Sequence, residues 1–373
     1  MKFKILQNKI KEGVNLTGRI TTKSVSLPIL KNIHLSAEDN FLCLSATDLE
    51  VGIKWWSLVK IEEEGKNTIP LDVFSSFINL LPKEEKVDIS TNKDNLLVEC
   101  EDYNTEIKGL DPEDFPIIPQ VENNKEIKIN TAAFFEGLKQ VVDIPSNTKV
   151  KPEISGVFFK FEGKTLKLAA TDSYRLAEKI IFLENNVDEF SFILPQKTAK
   201  ELLNIFSNED NLKIKYDSNQ VLFEVMMEEA NHPKIQLSSK LIEGEYPNYQ
   251  AIIPENTDTQ VLLEKEEFLN KIKAASLFSG RVNEVTLSFN KEENKVDIYS
   301  EDNDLGNYKT SINGKVEGKT LKVSFNHRFL MDGLSQIKSS EIIFSVSDNS
   351  GPGKITPVGN DDFLYVVMPI KNN

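Results

Sequence analysis

Two stretches of this chain repeat at one fixed spacing. The segment LSATDLEVGIK begins at Leu44 and LAATDSYRLAEK at Leu168, which places Asp48 and Asp172 124 residues apart. The same offset relates Glu12-Gly13-Val14 to Glu136-Gly137-Leu138. A third copy is more diverged, with Ile298-Tyr299-Ser300-Glu301-Asp302 standing in the place of Leu44 to Asp48. Recurrence at a fixed period means one supersecondary unit used again. The chain therefore reads as three similar units.

The flanking segments agree. Ile10, Val14 and Thr17 form an i, i+4, i+7 stripe, repeated by Phe134, Leu138, Val141 and by Phe268, Ile272, Ala275. That spacing places each trio on one helical face. A second helix follows in each unit. Phe74, Phe77, Ile78 and Leu81 match Ala199, Leu202, Leu203 and Phe206, then Leu330, Gly333, Leu334 and Ile337. Pro70 and Pro195 precede two of these helices, where proline is tolerated, and Asn326 is placed to cap the third. Between the helices, KTLKLAAT, EFSFIL, NLKIKYD, QVLFEVMM, NKVDIYS, GKTLKVSF and SEIIFSVSD run close to period two. Such runs, broken by Gly, Asn and Asp, predict half-buried antiparallel strands. The expected fold class is α+β: three repeated domains, each with antiparallel sheets and two helices.

Proline-rich exits mark the seams. GLDPEDFPIIP closes the first unit at Pro119 and EGEYPNYQAIIP the second at Pro254. Proline keeps its predecessor out of the helical region and stiffens each crossing. The units are expected at about 1–122, 123–255 and 256–373.

Composition narrows the functional classes. Hydrophobic residues make up 39% of the 373-residue chain and charged residues 27%, a balance that suits a folded protein. Two cysteines give no disulfide scaffold and no four-thiolate metal site. No apolar run reaches the roughly 20 residues that cross a bilayer. MKFKILQNKIK has no apolar core of a signal peptide. A cytoplasmic location without membrane contact is the expectation. With three histidines and no HExxH, GxSxG or Walker-type loop, neither catalytic residues nor a cofactor is expected. Asp48 and Asp172 hold equivalent places in repeated units, so a shared turn or cap explains them better than a catalytic pair.

The net charge is −14, yet the helix-bearing stretches carry cations. Lys139, Lys149, Lys151, Lys197 and Lys200 lie in the middle unit, with Lys23 in the first and Lys271 and Arg281 in the last. Acidic clusters such as Glu62-Glu63-Glu64, Glu228-Glu229 and Asp361-Asp362 fall elsewhere. A positive surface inside an acidic protein would meet phosphates without reading sequence. A non-DNA protein-interaction scaffold fits the repeats equally well.

The three-unit arrangement, the paired ATD segments, SLPILKNIHL, TDSYRLA, EGEYPNYQAIIP and the terminal YVVMP together resemble the bacterial DNA polymerase III beta subunit, or sliding clamp, family over essentially the full length. The resemblance implies a head-to-tail homodimeric ring with pseudo-six-fold symmetry, its helices facing a hole that duplex DNA threads. It implies a non-catalytic processivity factor that tethers the replicative polymerase, is opened by a clamp loader and serves other proteins carrying clamp-binding motifs. It singles out Lys23 and Lys197 for DNA contact, and Leu277 and Phe278 for the dimer interface. Asp72, Pro152-Glu153 and Val282-Asn283 depart from the family's basic or aromatic positions, which implies diffuse DNA contact.

The resemblance also implies a protein-binding cleft between the second and third units. Its lining would be Ile154, Thr171, Ser173, Tyr174, Arg175, Leu176, Pro247, Ile252, Val366, Val367, Met368, Pro369 and Ile370. Most are apolar, as a pocket for Leu or Phe side chains requires, and Met368 is an adaptable wall. Arg175 would hydrogen-bond a peptide. Ser173-Tyr174 stands where the family often has Gly-His, and Ala251 where it can be basic.

Overall fold

The computed structural model describes residues 1–21, 27–119, 121, 126–146, 150–207 and 209–371. Its α-helices are α1 (Gln7–Thr17), α2 (Leu71–Leu80), α3 (Thr131–Val141), α4 (Gln196–Phe206), α5 (Lys265–Ser276) and α6 (His327–Ser335). The stripes read from the sequence face the cores: Ile10, Val14, Phe134, Leu138, Phe268 and Ile272 are all buried. The second helices bury Phe74, Ile78, Ala199, Leu202, Leu330 and Leu334. Asn326 caps α6, its side chain accepting the Arg328 N–H at 2.9 Å. The architecture is three-domain α+β, with antiparallel sheets.

Two compact units form, residues 1–131 with 200–241 and residues 132–199 with 242–373. The middle repeat is therefore divided between them. In the first unit its strands Glu126–Ile129, Leu212–Tyr216, Gln220–Met226 and Pro233–Lys240 continue the sheet made by Val51–Leu58, Phe41–Thr47, Asn32–Glu38 and Gly65–Pro70. The junction pairs Ile235 with Trp55 and Ser239 with Val51. A second sheet of this unit runs in the order Lys60–Glu63, Lys2–Leu6, Lys86–Asn92, Asn95–Cys100, Tyr103–Ile107.

The second unit repeats the plan. Strands Gly156–Thr171 and Arg175–Pro195 of the middle repeat join Phe363–Val367, Gly353–Pro357, Glu341–Val346, Thr259–Glu264 and Lys315–Gly318 in one sheet. The other sheet is Gly306–Asn313, Lys295–Asp302, Glu284–Asn290 and Leu321–Asn326. The period-two runs KTLKLAAT and EFSFIL fall on separate strands, as expected, and these are the two arms of one long hairpin that pairs Gly156 with Pro195 and Thr171 with Leu176. Register shifts flank Gly163, whose φ of 59° lets the strand bend without ending.

The repeated aspartates make one turn three times. Asp48 Oδ1 accepts from the N–H groups of Glu50 and Val51, and Asp172 Oδ1 from those of Tyr174 and Arg175. Asp302 Oδ1 accepts from Asp304 and Leu305. Thr47 and Thr171 add a hydroxyl bond to the carbonyls of Val51 and Arg175. These bonds hold Leu49 and Ser173 at φ of 75° and 77°, left-handed values that cost a non-glycine residue about 1–2 kcal/mol. The ATD repeat is thus a turn device.

Gly13 recurs as Gly137 for a related reason. A Cβ on Gly13 would lie 2.4 Å from Trp55 Cε3 and 2.8 Å from Leu44 Cδ1, and one on Gly137 2.8 Å from Ile181 Cδ1. Both helices approach a sheet closely at that point. Gly13→Ala gains about 1 kcal/mol of helix propensity but overpacks a closed core at about 1–3 kcal/mol. Thermal unfolding of the variant is expected to show a lower midpoint than wild type. A midpoint at or above wild type would mean that α1 has room over Trp55.

Candidate functional site

Backbone pairing brings Tyr174–Leu176 and Val366–Met368 of the expected cleft residues together within the second compact unit. Strand Arg175–Pro195 pairs with Phe363–Val367, setting Arg175 opposite Val367 and Leu176 opposite Val366. The ladder continues past the strand end: Met368 donates its N–H to the Tyr174 carbonyl at 2.8 Å, and Ile370 donates to Ser324 O at 2.8 Å. Pro369 bridges to Phe325. The tail as far as Ile370 is therefore anchored by main chain.

The residues separate into a floor and a rim. Leu176 and Val366 are fully buried, in one cluster with Ala169, Ile193, Tyr246 and Tyr249. Ile154, Thr171 and Val367 are buried as well. Tyr174, 64% exposed, and Ile252, 43% exposed, stand at the surface with Ser173 and Pro247. Met368, Pro369 and Ile370 are half-buried between the two. Apolar side chains offered by a partner would meet Tyr174, Ile252 and Met368 first.

Arg175 is already engaged. Its Nε donates to Asp172 Oδ2 at 2.9 Å and its Nη1 to the Asp332 carboxylate. The guanidinium lies 4.8 Å from the Phe329 ring centre, and the Tyr174 ring stacks on the same ring at 6.3 Å. Arg175 thus braces the turn that carries Tyr174 against α6. Phe329 and Asp332 are additions to the residues expected from the sequence. Phe329 sits one position before the buried α6 stripe that starts at Leu330, and an apolar residue just off such a stripe signals a second covered face.

Beneath the floor, Tyr249 donates its hydroxyl to Glu178 Oε2, and both side chains are buried. Burial, then the bond to Glu178, pushes the Tyr249 phenol well above its ordinary pKa. Phe158 stacks on Tyr246 at 4.6 Å. Polar satisfaction here is local, so Tyr249→Phe leaves a buried carboxylate short of a donor, at about 1–3 kcal/mol. A lowered unfolding midpoint is expected, with a smaller loss for the control Glu178→Gln. A neutral Tyr249→Phe would show that Glu178 finds another donor.

Of the expected DNA-facing residues, Lys139 is exposed on α3, and Lys197 and Lys200 in the first half of α4. Lys151 and Arg281 are exposed too, whereas Lys271 is half-buried on α5 and bridged to Glu267 at 3.2 Å. Lys23 and Lys149 lie outside the described residues. Leu277 follows α5 at 68% exposure, and Phe278 stacks on Tyr308 at 6.1 Å. Among the described residues no helix is long and apolar enough to cross a membrane.

Comparison with known proteins covers the whole chain. Residues 1–119, 128–248 and 250–371 match the family models of the DNA polymerase III beta subunit N-terminal, central and C-terminal domains. The beta sliding clamp of Synechocystis sp. is 27% identical, with 100% of this chain and 99% of that protein aligned. That of Staphylococcus aureus is 28% identical over the same shares. Among solved structures, the DNA polymerase sliding clamp from Bacillus subtilis superposes with a TM-score of 0.94 at 26% identity. The DNA polymerase III beta subunit from Thermotoga maritima gives 0.90 at 25%, both chains of each pair being fully covered.

Proposed function

This chain belongs to the DNA polymerase III beta subunit family, and from that membership we propose that it works as a homodimeric ring around duplex DNA, as a processivity factor with no chemistry of its own. The observation that carries the reading is the run of three successive family domains along the full chain. We take these domains as 1–122, 123–255 and 256–373. In the ring the first domain of one copy meets the third of the other.

Sheet edges support that assembly. Tyr103–Ile107 ends the five-stranded sheet and Gly306–Asn313 the four-stranded one, so each leaves backbone groups open to a further strand. Both domains also carry exposed apolar side chains: Val73, Leu80 and Tyr103 in the first, Leu277 and Leu305 in the third. A head-to-tail contact between unlike edges closes into a ring when the rotation permits. Sedimentation equilibrium is expected to give about twice 42.2 kDa, and a concentration-independent monomer would defeat the assembly.

DNA contact rests on Lys139, Lys151, Lys197, Lys200, Lys271 and Arg281, with Lys23 and Lys149. Such contacts act on phosphates and weaken as salt rises. Retention comes mainly from topology, so loaded rings should slide off linear DNA and persist on closed circles. Lys197→Glu should lower DNA association without unfolding the chain, because the side chain is exposed. Equal dissociation from circles and linear DNA would count against encirclement.

The cleft made by Tyr174–Leu176, Pro247–Ile252 and Val366–Ile370 serves the replicative polymerase, the clamp loader and other clamp-binding proteins in the cytoplasm. A bound motif gains about 25 cal/mol per Å² of apolar surface buried, less its ordering cost. Deleting Met368–Asn373 should abolish binding of a polymerase clamp-binding peptide and leave the dimer intact. Met368→Ala should weaken it by about 1–3 kcal/mol. Calorimetry beside sizing of each variant checks both, and full peptide affinity in a dimeric deletion would remove the site.

A further inference from the structure

The frame that carries the cleft occurs in both compact units, and only one copy has an arginine at its turn. Ser239 pairs with Val51 and Ser238 with Gly52 in the first unit, as Val367 pairs with Arg175 and Val366 with Leu176 in the second. Lys240 donates its N–H to the Glu50 carbonyl at 2.9 Å, the counterpart of Met368 on Tyr174 at 2.8 Å. Asp48 and Asp172 close the two turns with the same pair of bonds, and Leu49 and Ser173 share one conformation, with φ of 75° and 77°. Val51 stands where Arg175 does, so this turn closes without a guanidinium.

The second helices of the middle and last repeats carry an acid at one shared position. Glu201 follows Ala199 by two residues on α4, and Asp332 follows Leu330 by two on α6. Glu201 accepts from Arg19 Nε at 2.6 Å, which ties α4 to the end of α1. Asp332 takes Arg175 Nη1 instead. A tie from this helix to the preceding repeat thus exists at both seams, but only at the second does it run to the turn. In the first unit both jobs, closing the turn and joining the repeats, are done with no arginine at the turn.

What the second arrangement adds is a fixed place for the rim. The Tyr365 hydroxyl donates to the Phe329 carbonyl at 2.8 Å, and a Cβ on Gly333 would lie 2.4 Å from Tyr365 Cδ1, so α6 sits tightly on the last strand. Arg175 is bound to that helix through Asp332 and lies against the Phe329 ring. Tyr174 is largely exposed and stacks on the same ring, so its position depends on how the turn and α6 stand to each other.

We propose that Asp332 is a positioning residue of the cleft: by binding Arg175 it holds the Tyr174 rim ready for a client's apolar side chain. The proposal rests on the reading of the cleft as the client site. Where only a fraction of molecules has the rim in place, apparent affinity falls by that fraction. Release of an ion pair with one exposed partner shifts such an equilibrium by up to about fivefold.

The test is calorimetry of full-length variants with a polymerase clamp-binding peptide. Asp332→Ala should bind about fivefold more weakly than wild type at an unchanged unfolding midpoint. Asp332→Glu, which keeps the carboxylate, should recover most of that loss. If Asp332→Ala does not fold, Asp332→Asn replaces it. Lys273→Ala, an exposed lysine on α5, should bind as wild type. In an Arg175→Met background Asp332→Ala should cost nothing further, because the two side chains act as one. Wild-type affinity in a folded Asp332→Ala chain, or the same loss in the Arg175→Met background, overturns the proposal. A loss for Met368→Ala without one for Asp332→Ala removes it and leaves the cleft standing. Wild-type affinity in both Met368→Ala and the Met368–Asn373 deletion removes the cleft reading, and the proposal with it.

Discussion

Strand Phe363–Val367 lies between Arg175–Pro195 and Gly353–Pro357, so the last strand of the chain is paired on both sides. Pairing of this kind leaves little freedom. A one-residue slip against Arg175–Pro195 would turn Val366 from the core and expose it. The slip would also separate Met368 from the Tyr174 carbonyl, and with it the tail from the turn. Register across this seam therefore determines the core under the cleft, the anchoring of the tail and the orientation of the rim. Arg175 adds a side-chain brace to the same turn through Asp172 and Asp332.

The same ladder explains why three sequence repeats give two compact units. Each seam is crossed by strand pairing, Ser239 with Val51 at one and Val367 with Arg175 at the other. Main-chain bonds across a seam are as strong as those within a repeat, so compaction follows the sheets. The middle repeat supplies strands to both. Its long hairpin, bent at Gly163, supplies one of these edges, where Arg175 to Lys179 pair with Phe363–Val367.

Local periodicity made much of this legible. The helical stripes needed only residues three and four apart, and the turn role of Asp48 and Asp172 needed only their repetition. Sheet order was beyond reach, because nothing local relates Leu176 to Val366. Ladder register is set by partners far apart in the chain and by total burial. Phe329 and Asp332 were missed for a similar reason. They act from α6 on a turn more than 150 residues earlier, and only the folded sheet shows that they meet. The resemblance named a set of cleft residues, but not that Leu176, Val366 and Val367 lie under the surface while Tyr174 and Ile252 stand at it.

Duplication left one backbone frame with two chemistries. In the second unit the frame is lined by Leu176, Val366 and Met368, and its one buried acid, Glu178, is neutralised as a hydrogen-bond problem by Tyr249. In the first unit Gly52 replaces Leu176, and Ile118 from the exit segment comes within 2.6 Å of where a glycine Cβ would stand. The chain's own isoleucine thus occupies space that a leucine fills in the other frame. An apolar motif would find that position taken, and the mouth above it carries Glu50 and Lys240, two charges it would have to desolvate. The two frames thus differ in their side chains, with the backbone pairing left unchanged.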